Sequence, residues 1–99
     1  MTDITRKIIE QILAVPKGKV SCYRDIALRA GLSNGARQTV RALHSMSEKY
    51  NLPWHRIIRS DGSIALAEGE GREMQIKLLR GEGVKVSDNG KVDFDRYGI

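Results

Sequence analysis

SCYRDIALRAGLSNGARQTVRALHSMS, residues 21–47, is the stretch on which the reading of this chain turns. Ser21 suits an N-cap, so a short helix is expected over 22–30, with Gly31 just beyond its end. Ile26, Ala27 and Ala30 are expected to pack inward. The turn Gly31-Leu32-Ser33-Asn34-Gly35 leads into a second helix over about 36–47. Its Ala36, Val40 and Leu43 stack at i, i+4 and i+7 and form the expected inner face. Arg37, Arg41 and His44 share another face by the same spacing, with Gln38 beside them. A short helix, a glycine-bearing turn and a helix with a basic outer face make the helix-turn-helix pattern, although helix pairs in many small bundles look the same.

Upstream, Thr2 or Asp3 can cap a helix running to about Val15, with Ile4, Ile8 and Ile12 at helical spacing and Ile9 and Leu13 widening the stripe. Pro16-Lys17-Gly18-Lys19 ends it. Downstream comes a loop over 48–52 and then Pro53-Trp54-His55-Arg56. Ile57-Ile58-Arg59 and Ile64-Ala65-Leu66 flank a Ser60-Asp61-Gly62-Ser63 turn and read as a small hairpin. A fourth helix is expected over 72–80, carrying Met74, Ile76, Leu78 and Leu79, with Gly81 or Gly83 stopping it. Val84 and Val86, then Val92 and Phe94, alternate with polar residues around Asp88-Asn89-Gly90, a second hairpin. The expected class is α+β: three helices, a fourth packed on them, and two hairpins.

Ninety-nine residues make one domain, 1–99, with room for one hydrophobic core. No apolar run reaches membrane-spanning length, and the N-terminus shows no signal-peptide pattern. Cys22 is alone and cannot form an internal disulfide; with only His44 and His55 beside it, metal-ligand spacing is absent. A soluble, cytoplasmic protein without metal or cofactor is expected. The formal charge is +5, and residues 1–50 hold all of the excess, with nine Lys/Arg against four Asp/Glu. Localised basic charge is the footprint of a polyanionic partner, here nucleic acid.

Five segments give that expectation a family. PKGKVSCYRDIA (16–27) looks like a Pro-x-Gly-x-Val-x-x-Tyr-x-x-Ile-Ala stretch, GARQTVRAL (35–43) like a recognition helix, and KLLRGEGV (77–84) like a Leu-Leu-x-x-Glu-Gly helix end. PWHRIIRSDG (53–62) resembles the Pro-Cys-His-Arg active-site segment of the O6-alkylguanine-DNA alkyltransferases, with Trp54 where the acceptor cysteine stands. That replacement is the hallmark of their non-catalytic relatives, the alkyltransferase-like proteins, which the terminal GVKVSDNGKVDFDRY (83–97) also resembles.

The resemblance implies a winged helix-turn-helix-like domain, similar to the C-terminal domain of the alkyltransferases. It implies docking in the minor groove of double-stranded DNA containing O6-alkylguanine, with the damaged base rotated into a pocket. By position, Arg37 matches the arginine finger that fills the vacated stack, and Tyr23 the tyrosine that crowds the target phosphate. Ser60 matches a phosphate-contacting serine, and Leu43 and Ile57 match pocket walls beside Trp54. Gln38, Arg41 and Arg56 are further expected DNA contacts. His55 and Glu82 match the pair that serves the enzymes' cysteine; here they are expected to persist as a structural prop.

An indole nitrogen donates and does not attack, so no alkyl transfer is expected at Trp54. The family further implies a handover to nucleotide excision repair proteins; the chain is expected to act as a monomer, nucleoid-associated in a bacterium. Two departures stand out. The family's hinge asparagine falls near Met46, and the segment after Leu66 is the acidic Ala67-Glu68-Gly69-Glu70. Two other readings remain: an alkyltransferase using Cys22 as acceptor, and a helix-turn-helix regulator reading the major groove.

Overall fold

The computed structural model of the chain describes residues 2–66 and 69–99. Thr2 caps α1 (Asp3–Leu13), its hydroxyl accepting from the Thr5 amide at 3.2 Å. Ile8, Ile9 and Ile12 are buried along it, and Val15 stays buried beyond the helix end. Among the described residues no helix is long and apolar enough to cross a membrane.

Ser21 is not a cap. It lies in β1 (Ser21–Cys22), which pairs in parallel with β2 (Ile57–Ile58), Ser21 opposite Ile57 and Cys22 opposite Ile58. Cys22 takes the cap position of α2 (Tyr23–Arg29) without a side-chain bond. Backbone pairing wins over capping here, and it leaves the buried Ser21 hydroxyl without a partner among the described residues. The hairpin expected between 57–59 and 64–66 is replaced for the same reason, since β2 spends its backbone on β1.

The turn between them does form. The Arg59 amide donates to the Ser63 carbonyl at 3.0 Å and the Gly62 amide to the Arg59 carbonyl at 2.9 Å. Gly62 sits at φ +89, where any Cβ would collide with the Val92 carbonyl. This turn docks onto the second hairpin through a Ser63–Lys91 antiparallel bridge. The hairpin itself is as expected up to Val92, which bridges Val86. Phe94 then departs from the strand reading and opens α5 (Phe94–Tyr97), because Asp93 accepts from the Asp95 and Arg96 amides and caps a helical turn.

α3 (Ala36–Tyr50) runs one turn further than expected, to Asn51 in the left-handed conformation at φ 50. Its buried residues are Thr39 and Ala42, so the inner face is not the expected Ala36, Val40 and Leu43. Val40 is 37% exposed, and Leu43 is half-buried. Small side chains let α3 approach α2 closely, and Thr39 Oγ1 donates to the Tyr23 carbonyl at 3.0 Å. Gly35 permits the same approach: a Cβ there would stand 2.6 Å from Leu32 Cδ1 and 3.1 Å from Ala27 Cβ.

α4 (Glu70–Gly81) buries Leu79 completely but leaves Met74 half exposed and Leu78 at its rim, so two of the apolar residues it carries face out. A polar residue, Gln75, is buried in their stead.

Two cores result, not one. The helical core gathers Ile8, Ile12, Val15, Ile26, Ala42 and Ile57. The second gathers Val20, Ile58, Leu79, Val84, Val92 and Tyr97. Consecutive strand residues point to opposite sides, so Ile57 enters one core and Ile58 the other, and the β1–β2 ladder is the partition between them. The Ile99 amide donates to the Val20 carbonyl at 3.1 Å and ties the C-terminal end to that partition.

Candidate functional site

A cavity of about 290 Å³ opens between the start of α2, one side of α3 and the turn after Pro53. Tyr23 comes from the first residue of α2, held in place by Thr39 beneath its carbonyl. Val40, Leu43, His44 and Ser47 come from α3, one per turn or adjacent, so the stripe read as core is the cavity wall. Trp54, Leu66 and Gln75 complete the lining. Burial pushes the Tyr23 hydroxyl up, opposed by the charge of Arg59, and so keeps it a neutral donor.

Trp54 is the first residue of a single 3-10 turn, Trp54–Arg56. Its ring meets that of His55 edge-on, with centroids 6.1 Å apart. The other two residues of the turn face away from the cavity, toward Glu82 at the end of α4. His55 Nε2 lies 2.9 Å from Glu82 Oε2. Arg56 donates to the same carboxylate through Nε at 2.9 Å and Nη2 at 2.7 Å, and through Nη1 to the Val15 carbonyl at 2.9 Å. The Gly18 amide adds a bond to Glu82 Oε1 at 3.3 Å. Arg56 above all, and then His55, hold the Glu82 carboxyl down at about 2, against burial that pushes it up. An ionised carboxylate only accepts, so His55 carries its proton on Nε2.

From the other side Gln75 Nε2 donates to the carbonyls of His55 and Ile57, both at 3.2 Å. Gln75 and Glu82 are two turns apart on one face of α4, so that helix grips the turn at two points.

Three of the four residues expected at a pocket, Tyr23, Leu43 and Trp54, line one cavity. Ile57 does not: strand alternation sends it into the helical core, where it is fully buried. Arg56, expected on DNA, is instead 17% exposed in the Glu82 clamp, with its guanidinium spent on Glu82 and Val15. It joins His55 and Glu82, whose expected pairing is present. Arg37, Gln38 and Arg41 are exposed and line a second hollow with Asn34 at the start of α3. Val40 follows Arg37 by one turn, so this basic face borders the cavity. Ser60 is exposed in its turn, beside Asp61, whose carboxyl is lowered by hydrogen bonds from the Ser63 side chain and amide.

Met46, at the expected hinge position, packs on the helical core. Ala67 and Glu68 of the acidic segment lie outside the described residues. Cys22 is 2% exposed and not in the lining, and burial pushes its thiol up, away from the thiolate that an acceptor needs. Among the described residues no cluster of three His, Cys, Asp or Glu could hold a metal.

Val40, His44, Ser47, Leu66 and Gln75 were not expected at the site. The α3 members carry a faint signal, the continuation of the Arg37 face by single turns. Gln75 carries one too, seven residues before Glu82.

Residues 3–84 match the family model of the 6-O-methylguanine DNA methyltransferase DNA-binding domain. A "DNA base-flipping protein" of Vibrio parahaemolyticus is 41% identical over 98% of this chain and 96% of its own length. Alkyltransferase-like protein 1 of Schizosaccharomyces pombe is 33% identical over 87% of this chain and 81% of its own. The crystal structure of S. pombe Atl1 in complex with damaged DNA containing O6-carboxymethylguanine superposes with a TM-score of 0.86 at 30% identity, covering 98% of this chain and 94% of that one. Mycobacterium tuberculosis O6-methylguanine methyltransferase, at 24% identity and a TM-score of 0.64, shares the fold over 56% of its length. On these matches the chain belongs to the 6-O-methylguanine DNA methyltransferase DNA-binding-domain family, as an alkyltransferase-like member.

Proposed function

We propose that this chain recognises O6-alkylguanine in duplex DNA by flipping the damaged base into the Tyr23–Leu43–Trp54 cavity, and that it leaves the alkyl group in place. The observation that carries this reading is the occupant of the turn: an indole lines the cavity, at the position that the Pro-Trp-His-Arg resemblance matches to the acceptor thiol, and the chain's one cysteine is buried outside the lining. The basic face of α3 would sit in the minor groove, with Arg37 entering the stack, Gln38 and Arg41 beside it, and Ser60 on a phosphate. Tyr23 would crowd the target phosphate and offer its hydroxyl to the base. Trp54 would stack on the base and its alkyl group, a contact worth about 1–3 kcal/mol where bases stack on aromatics elsewhere. A protein that binds a lesion without reversing it implies a downstream repair system, which we assign to nucleotide excision repair, met by a monomer on DNA in the cytoplasm.

Intact mass after incubation with excess O6-methylguanine duplex tests the chemistry. The expected mass is unchanged, with the lesion recovered intact; a gain of one methyl group would restore the enzyme.

A further inference from the structure

One cation beside the cavity is positioned by the fold and has no part in the function proposed above. The ion pairs among the described residues are made by Arg6, His55, Arg56 and Arg80. Arg72 spends its guanidinium on the carbonyls of Leu66 and Asn89. Arg59 is in none of these contacts, and it is exposed. Its backbone is nonetheless held at both ends. The Arg59 amide donates to the Ser63 carbonyl at 3.0 Å, and the Arg59 carbonyl accepts from the Gly62 amide at 2.9 Å.

The β1–β2 register sets the direction of the side chain. Ser21 stands opposite Ile57 and Cys22 opposite Ile58, so Tyr23 and Arg59 come next on the two chains. Residues two apart on a strand share a side, so Arg59 leaves the ladder on the side of Ile57, where Tyr23 packs on the helical core. Burial pushes the Tyr23 hydroxyl up, and the charge of Arg59 reaches it and works the other way. That charge reaches Asp61 too, but the Asp61 carboxylate is already engaged by the Ser63 amide at 2.9 Å and the Ser63 hydroxyl at 2.6 Å.

We infer that Arg59 is a phosphate-binding residue of the flipped state: beside Tyr23 at the edge of the cavity, it takes the phosphate of the rotated nucleotide and so favours rotation. The inference rests on base flipping as proposed above. Tyr23 lines the cavity, so a base lodged there leaves its sugar and phosphate at the mouth, within reach of both side chains. A guanidinium fork matches two phosphate oxygens at once. Rotation costs pairing and stacking, and only a contact made after rotation and not before it shifts that balance. Gln38 and Arg41, on the exposed face of α3, would meet the groove in either state.

The test titrates the full chain at one salt concentration with duplexes holding guanine or O6-methylguanine at one site. Each is prepared with ordinary phosphates or with one neutral methylphosphonate on the 5′ or the 3′ side of that base. Arg59→Gln is expected to weaken the O6-methylguanine duplex about tenfold and the unmodified duplex about twofold, with Tm unchanged. Arg59→Lys keeps the charge without the fork and is expected to recover part of the loss. On the wild-type chain, a methylphosphonate on one of the two sides is expected to cost the lesion duplex about tenfold, and the same replacement should cost the Arg59→Gln chain little more. Equal losses on the two duplexes for Arg59→Gln overturn the inference, as does a methylphosphonate penalty that persists in full in that variant. A wild-type chain indifferent to both neutral phosphates overturns it without any variant. Should the wild-type chain not prefer the O6-methylguanine duplex at all, base flipping itself fails and takes this inference with it.

Discussion

Trp54 and its two neighbours share one 3-10 turn and meet opposite surroundings. Trp54 lines an open, mostly apolar cavity, with the edge of the His55 ring as its aromatic contact among the described residues. His55 and Arg56 look into a closed polar clamp, in which Glu82 accepts from both of them and from Gly18. The lesson is a division of labour within three residues: one side of the turn is kept free for a ligand because the other side is fully occupied by the protein. Pre-organisation of that kind lowers the ordering cost of binding, so the clamp should govern stability and the cavity should govern affinity.

The sharpest break is Glu82→Ala. It leaves a partly buried guanidinium and the His55 N–H without their acceptor and frees the Gly18 turn. A loss of about 3 kcal/mol is expected, a fall in Tm of more than about 10 °C for a domain of this size, read by thermal unfolding. Next comes Trp54→Ala, which should spare Tm by comparison and cost about 1–3 kcal/mol of binding to an O6-methylguanine duplex, with little change on unmodified DNA. If it lowered Tm as much as Glu82→Ala does, the division of labour would be wrong.

Acid separates the two sides without mutation. Glu82 has its carboxyl lowered from 4.5 to about 2, so the stability it confers is complete above 4.5 and lost as pH falls toward about 2. A decline of about 1–2 kcal/mol across that window is expected after allowing for solvent screening at this partly open site, and it should vanish in Glu82→Gln. The smallest effect is at Ser60→Ala. Removing one exposed phosphate contact should weaken damaged and undamaged duplexes alike, by about 0.5–1 kcal/mol in a binding titration, with Tm unchanged.

Periodicity made α1 and the inner face of α2 legible, because Ile8, Ile12, Ile26 and Ala27 have one apolar stripe to choose from. α3 has two, 36/40/43 and 39/42/46. The choice goes to the one with small side chains, since close approach to α2 needs Thr39, Ala42 and Gly35, and this releases Val40 and Leu43 to the cavity. The β1–β2 ladder had no local signal, being two residues on each side and distant in sequence. Arg56 read as a DNA contact because a basic residue in a basic chain carries no mark of the acceptor it meets; only the fold brings Val15 and Glu82 to it. Tyr23, Trp54 and the His55–Glu82 pair were legible through motif resemblance, whereas Gln75, a buried amide on a helix, looks in sequence like any solvated glutamine.

Trp54 is the chain's one tryptophan, so its emission reports the cavity alone. The most direct test is to titrate the protein with two duplexes differing by a single O6-methyl group, following that emission at fixed salt. Base flipping against Trp54 predicts tighter binding to the methylated duplex together with quenching that the unmodified duplex does not give. Equal affinity and equal emission for the two would contradict it, and would leave a basic helix-turn-helix that binds DNA without sensing the lesion.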